Sequence, residues 1–161
     1  MWRYLWITVV MVVLDQASKY AAVEFLSHRT PVSLLPFLNL TLVHNAGAAF
    51  GFLNGASGWQ NLFFIAIALI ATGVIVWWLR RLMKAEWAIA VALCLVLGGA
   101  IGNLIDRLIY GYVVDFIDFF FGSWHFWTFN IADSAISVGA VLLVLDSLGI
   151  LKSRSAPHPR S

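Results

Sequence analysis

Residues 87–107 read WAIAVALCLVLGGAIGNLIDR, nineteen residues from Trp87 to Ile105 without a charge, followed at once by Asp106 and Arg107. At roughly 1.5 Å per residue a helix over this run is roughly 28 Å long, close to the ~30 Å hydrocarbon core of a bilayer. The stretch therefore predicts a membrane-spanning helix with Asn103 and Arg107 on one face near its far end. Gly98 and Gly102 form a small-xxx-small pair beside Gly99 and Ala100, which lets another helix pack closely.

Three more runs of the same kind flank it, from about Tyr4 to Phe25, Leu62 to Leu79 and Ile131 to Ile150. Of the 161 residues 61% are hydrophobic and only 11% charged, too few charges to cover a water-soluble globule. The expected class is an all-α membrane protein of four transmembrane helices forming one domain over residues 1–151, with external segments at about 27–60 and 108–130. A cleaved signal peptide competes for the first run, because Arg3 precedes it. Asp15 and Lys19 interrupt the would-be cleavage region, however, and no A-x-A site follows. The net charge of +2 without a basic stripe excludes a nucleic-acid partner. Cys94 is the single cysteine, so no intrachain disulfide forms, and its place inside the third run makes it an apolar residue.

Basic residues orient the bundle. Arg3, Arg80, Arg81, Lys84, Lys152, Arg154 and Arg160 fall on one side, against Arg29 and Arg107 on the other, which puts both termini in the cytoplasm. The tail from Lys152 to Ser161 is expected to be a flexible cytosolic end.

The external segments have their own patterns. Phe37 to Leu42 alternates apolar and polar residues, as a strand does, and Asn45-Ala46-Gly47-Ala48-Ala49-Phe50-Gly51 supplies small residues for a tight turn. The expectation is a small β-containing subdomain. Phe116 to Phe129 holds seven Phe and Trp besides Phe116 itself, and this density predicts an interfacial segment at headgroup level, although burial against the external strand gives the same pattern.

Ionisable residues inside spans are costly and become the first functional candidates. Asp15 and Lys19, four apart on one helix face, lie in the outer half of the first span and suit an ion pair, either structural or at a site. Asn103 and Arg107 reach the same depth from the third span, and Asp133 begins the fourth. Asp115 lies a few residues after the third. The outer third thus collects Asp115, Asp133, Asp15, Lys19, Asn45, Asn103 and Arg107, whereas the cytoplasmic half of the spans holds Asp146. Asp106 stays open: a helix cap, a partner of Arg107, or a catalytic acid.

Two close carboxylates share one proton, which gives a base that activates water beside an acid that protonates a leaving group. No cofactor is needed. His28, His44 and His125 have neither the spacing of a metal site nor a serine in a nucleophile motif, so no metal is expected.

At these residues the chain resembles the bacterial lipoprotein signal peptidases, or signal peptidase II, which are aspartic peptidases of the cytoplasmic membrane. The matching blocks come in family order: Asp15 to Lys19, Asn45 to Gly51, Gly98 to Arg107, Val113 to Phe119 and Phe129 to Ala135. The resemblance implies that Asp115 and Asp133 are the catalytic pair, a choice over Asp106 or Asp118 that spacing does not make. It implies that Asn45, Asn103, Arg107 and Asn130 line or support the site, with Asp15 and Lys19 close by. It also implies removal of signal peptides from diacylglyceryl-modified prolipoproteins at the outer membrane face, by a monomer whose other partners are membrane lipids. A proton-linked transporter using the same acids, or a non-catalytic assembly factor, is the alternative.

Overall fold

The computed structural model describes residues 1–26, 30–47 and 59–151. After a 3₁₀ turn over Trp2–Tyr4, the elements are α1 (Leu5–Phe25), β1 (Val32–Leu35), β2 (Leu38–Asn45), α2 (Trp59–Arg81), α3 (Trp87–Ile109), β3 (Val113–Phe121), β4 (Trp124–His125) and α4 (Ile131–Ser147). Among the described residues three helices are long and apolar enough to cross a membrane: Trp2–Phe25, α2 and α3. The fourth, α4, has 17 residues, roughly 26 Å at the helical rise.

The C-terminal end of α4 is sharper than its apolar run suggests. Gly149 takes a left-handed φ of 77°, its N–H donates to the Asp146 carbonyl, and the Ile150 N–H donates to that of Leu145. This is the Schellman closure that a glycine permits and an L side chain resists. Helix therefore stops at Ser147, three residues before the run ends.

Helix α3 is the axis of the bundle. It buries Ala90, Ala92, Leu93, Cys94 and Leu97 along one stretch, and its glycines meet neighbours on two sides. A Cβ on Gly98 would lie 2.8 Å from the Met11 Cβ of α1, and one on Gly99 would run into Ala132 and Ile136 of α4. The small-residue stretch is a packing surface, as its spacing predicts. Helix α2 buries only Gln60, Ile75 and Leu79, leaving Leu62 and Ile70 about 70% and 67% exposed. A face this apolar, left uncovered by the described residues, suits lipid.

At the end of the bundle opposite the Arg80–Arg81 turn, an antiparallel sheet in the order β1-β2-β3-β4 packs Leu42, Val114 and Phe116 against Ala22 of α1. Strand β1 and most of β3 extend the sequence expectation. The first part of the aromatic stretch takes the alternative of burial against the external strand, since Val113–Phe121 is a strand whose first four residues are buried. Phe121, Trp124, Phe126 and Trp127, by contrast, stay exposed. Phe119 of β3 stacks on Phe37 and Phe129. The alternation in Phe116–Phe121 is hidden because phenylalanines occupy both faces. The strand expected at Phe37–Leu42 is present and runs on to Asn45.

Candidate active site

Two carboxylates reach one place from different elements. Asp115 is the third residue of β3 and 1% exposed. Its strand is pinned just upstream, where the Val114 N–H donates to the Asp106 carboxylate at 3.0 Å. Asp133 stands in the first turn of α4, where the helix dipole favours negative charge. Asn130 caps that helix, its side-chain oxygen accepting from the Asp133 N–H at 2.9 Å.

Asparagine amides bridge the two acids. Asn130 Nδ2 donates to Asp115 Oδ1 at 2.6 Å and to Asn103 Oδ1 at 3.2 Å, while Asn103 Nδ2 donates to Asp133 Oδ1 at 2.8 Å. Asn45 Nδ2 donates to the other Asp115 oxygen at 3.0 Å. Burial, and next the charge of Asp133, push the Asp115 carboxyl up to about 7, against the opposing hydrogen bonds from Asn45 and Asn130. An acid with that pKa holds a proton near neutrality that an ordinary aspartate has lost.

In this sequence Asn45 comes to face Asp115 past a point where β2 takes up one extra residue. Asn39 pairs with Asp118 and Leu40 with Ile117, yet Val43 pairs with Asp115 and Asn45 with Val113. Between Leu40 and Val43 the strand advances three residues while β3 advances two. In an unbroken ladder Asn39 and Asn45 would share a face, whereas Asp115 and Asp118 point to opposite ones. The irregularity switches the parity and sets Asn45 beside Asp115.

Beside the acids lies a cavity of about 580 Å³, lined among others by Asn45, Asn103, Arg107, Trp127, Phe129 and Asp133. Arg107 forms no ion pair among the described residues. It donates to the Gly47 carbonyl at 3.2 Å, and its guanidinium carbon sits 5.0 Å from the centre of the Phe64 ring. A polar floor under aromatic and aliphatic walls suits an extended chain with an apolar attachment.

Asp15 and Lys19 form the ion pair their spacing predicts, at 2.8 Å and fully buried. Asp15 also accepts from the Ala132 N–H at 2.9 Å, so it holds the start of α4. Asp106, left open by the sequence between a helix cap, a partner of Arg107 and a catalytic acid, is a buried anchor held by Lys19 at 2.9 Å and by the Val114 N–H. Asp118 faces away from Asp115, toward His125 at 2.9 Å and Asn39. Gln16 carries no expected role, yet its amide joins Asp15, the Gly102 carbonyl and Asp106. Its position between Asp15 and Lys19 is the only signal of this. His28, Arg29, Ala48 to Gly51 and the tail from Lys152 to Ser161 lie outside the described residues.

Residues 7–149 match the family model described as signal peptidase (SPase) II. A lipoprotein signal peptidase of Coxiella burnetii (strain RSA 493) is 51% identical over 147 residues, covering 91% of this chain and 90% of its own. One of Hydrogenovibrio crunogenus is 53% identical over 140 residues, 87% of this chain and 81% of its own. A solved structure described as a bacterial membrane enzyme superposes with a TM-score of 0.82 at 32% identity, over 100% of this chain and 96% of that one. A second has a TM-score of 0.78 at 36% identity, over 92% and 94%. Similarity of this extent, over helices and sheet alike, establishes that the chain is a membrane protein belonging to the signal peptidase II family of peptidases.

Proposed function

We propose that this lipoprotein signal peptidase cleaves the signal peptide from diacylglyceryl-cysteine prolipoproteins by aspartic chemistry at the outer face of the cytoplasmic membrane. The observation that carries this is the meeting of Asp115 and Asp133 across the Asn103–Asn130 amide bridge, with no cation paired to either carboxylate among the described residues. Asp133, ionised and open to the cavity, takes a proton from a water whose oxygen bonds to the scissile carbonyl carbon. As the carbon–nitrogen bond breaks, Asp115 gives its proton to the departing amine. Asn45 and Arg107 hold the extended backbone by hydrogen bonds, and the acyl chains lie in the bilayer against the helices. Helix α4 serves as the fourth span, both termini are cytoplasmic, and the enzyme works as a monomer.

The lipid requirement follows from depth. Each buried CH₂ adds about 0.8 kcal/mol to membrane attachment, so two acyl chains confine the substrate to the plane where the acids sit. In purified protein Asp115→Asn and Asp133→Asn each lower turnover by more than about 10²-fold. A chelator changes nothing, and a peptide without the diacylglycerol is cut far more slowly than the same peptide with it. Full activity in either variant would move the chemistry elsewhere, and equal rates for the two peptides would remove the lipid anchor from the account.

A further inference from the structure

Lys19 is 3% exposed, and a buried ammonium persists only where its donors are fully placed. Its three go to Asp15 Oδ2 at 2.8 Å, Asp106 Oδ2 at 2.9 Å and Asn103 Oδ1 at 2.9 Å. Two carboxylates already outweigh one ammonium, so the bond to Asn103 is not required by charge. Its consequence lies at the other end of that amide. With the Asn103 oxygen receiving Lys19 and Asn130 Nδ2, the Asn103 NH₂ faces Asp133 Oδ1 at 2.8 Å. A flipped amide would set its NH₂ against two donors and offer Asp133 an acceptor.

We infer that Lys19 is a positioning residue for the reaction: through Asn103 it aims an N–H at Asp133 and so makes Asp133 the ionised member of the pair. The inference rests on the Asp115–Asp133 reading above and names a residue outside the lining of the cavity. The two acids that hold Lys19 fix backbone on either side of it, Asp15 at Ala132 and Asp106 at Val114. Both catalytic candidates are thereby tied to one cation. The charged groups around this point are Asp15 from α1, Asp106 and Arg107 from α3, Asp115 from β3 and Asp133 from α4. Arg107, turned to Gly47 and Phe64, does not take the place of Lys19 at Asn103.

The test is the pH dependence of kcat/KM on a diacylglyceryl peptide, with the full-length protein. Lys19→Met leaves two buried carboxylates, so it is paired with Asp15→Asn. That double variant keeps the local charge at −1, since Lys19, Asp15 and Asp106 sum to −1 and Asp106 alone does too. The base must be ionised to act, and loss of the aimed donor disfavours its ionised form. The acidic limb should therefore move up by about one pH unit in the double variant and in Asn103→Ala, a roughly tenfold loss of rate below the limb. Lys19→Arg should return the limb toward its original place. An unmoved limb in a folded double variant, or in Asn103→Ala if the double variant does not fold, would reduce Lys19 to a structural ion pair. Should Asp133→Asn remain active, the aspartate reading itself falls. An inactive Asp133→Asn with an unmoved limb overturns this inference alone.

Discussion

Asp115 combines near-complete burial with two asparagine donors, and the balance leaves its carboxyl pushed up to about 7 by burial and by Asp133. As the group that donates a proton, it is competent while protonated, so kcat/KM should decline as pH rises through about 7. Asn45 donates to the carboxylate form and holds that value down. Removing it in Asn45→Ala should therefore shift the alkaline limb to higher pH while turnover falls, and a limb that moves down would identify a different acid. Which aspartates do the chemistry was not legible from spacing, since Asp106, Asp115, Asp118 and Asp133 all lie near the same end. The contacts favour Asp115 and Asp133 for the proposed pair, because Asp106 and Asp118 are each taken up by a cation or a histidine.

The parity switch in β2 is the feature of an element that shapes the site. Thr41 lies in the irregular stretch between Leu40 and Val43. Deleting it evens the ladder while leaving Val43 opposite Asp115 and Asn45 opposite Val113, so activity should be retained, as in Thr41→Val. An alanine inserted between His44 and Asn45 instead moves Asn45 one position along the ladder and turns it to the opposite face from Asp115. Activity should then fall about as far as in Asn45→Ala, with helical content by circular dichroism unchanged. An insertion variant as active as the parent would show that the facing of Asn45 has no part in its hold on Asp115. The alternation from Phe37 to Leu42 was legible as a strand, but an extra residue in a ladder is visible only against its partner strand. The extent of β3 was obscured for a related reason: Phe119, Phe120 and Phe121 erase the period of two by which strands are recognised.

For the molecule as a whole, the Arg80–Arg81 end and the sheet end should lie on opposite sides of the bilayer, with the sheet outside. A cysteine placed at Met83, 68% exposed in the turn between α2 and α3, should escape a membrane-impermeant thiol reagent applied to whole cells. One placed at Trp124, 59% exposed in the β3–β4 hairpin, should react. Native Cys94 is fully buried and adds no background. The reverse pattern would put the site on the cytoplasmic side. What the sequence by itself determined is the set of apolar helices and the one end of the bundle at which the polar residues gather, because partition into a bilayer depends on the composition of a short window and on counting along it. The tertiary structure alone decided which oxygen faces which nitrogen. Asn103 takes Lys19 from 84 residues away and gives to Asp133 30 residues on, and Ala132 reaches back 117 residues to Asp15. No local period encodes such partners; they exist only once small residues let α1, α3 and α4 close on one another and the buried polar groups must all be satisfied together.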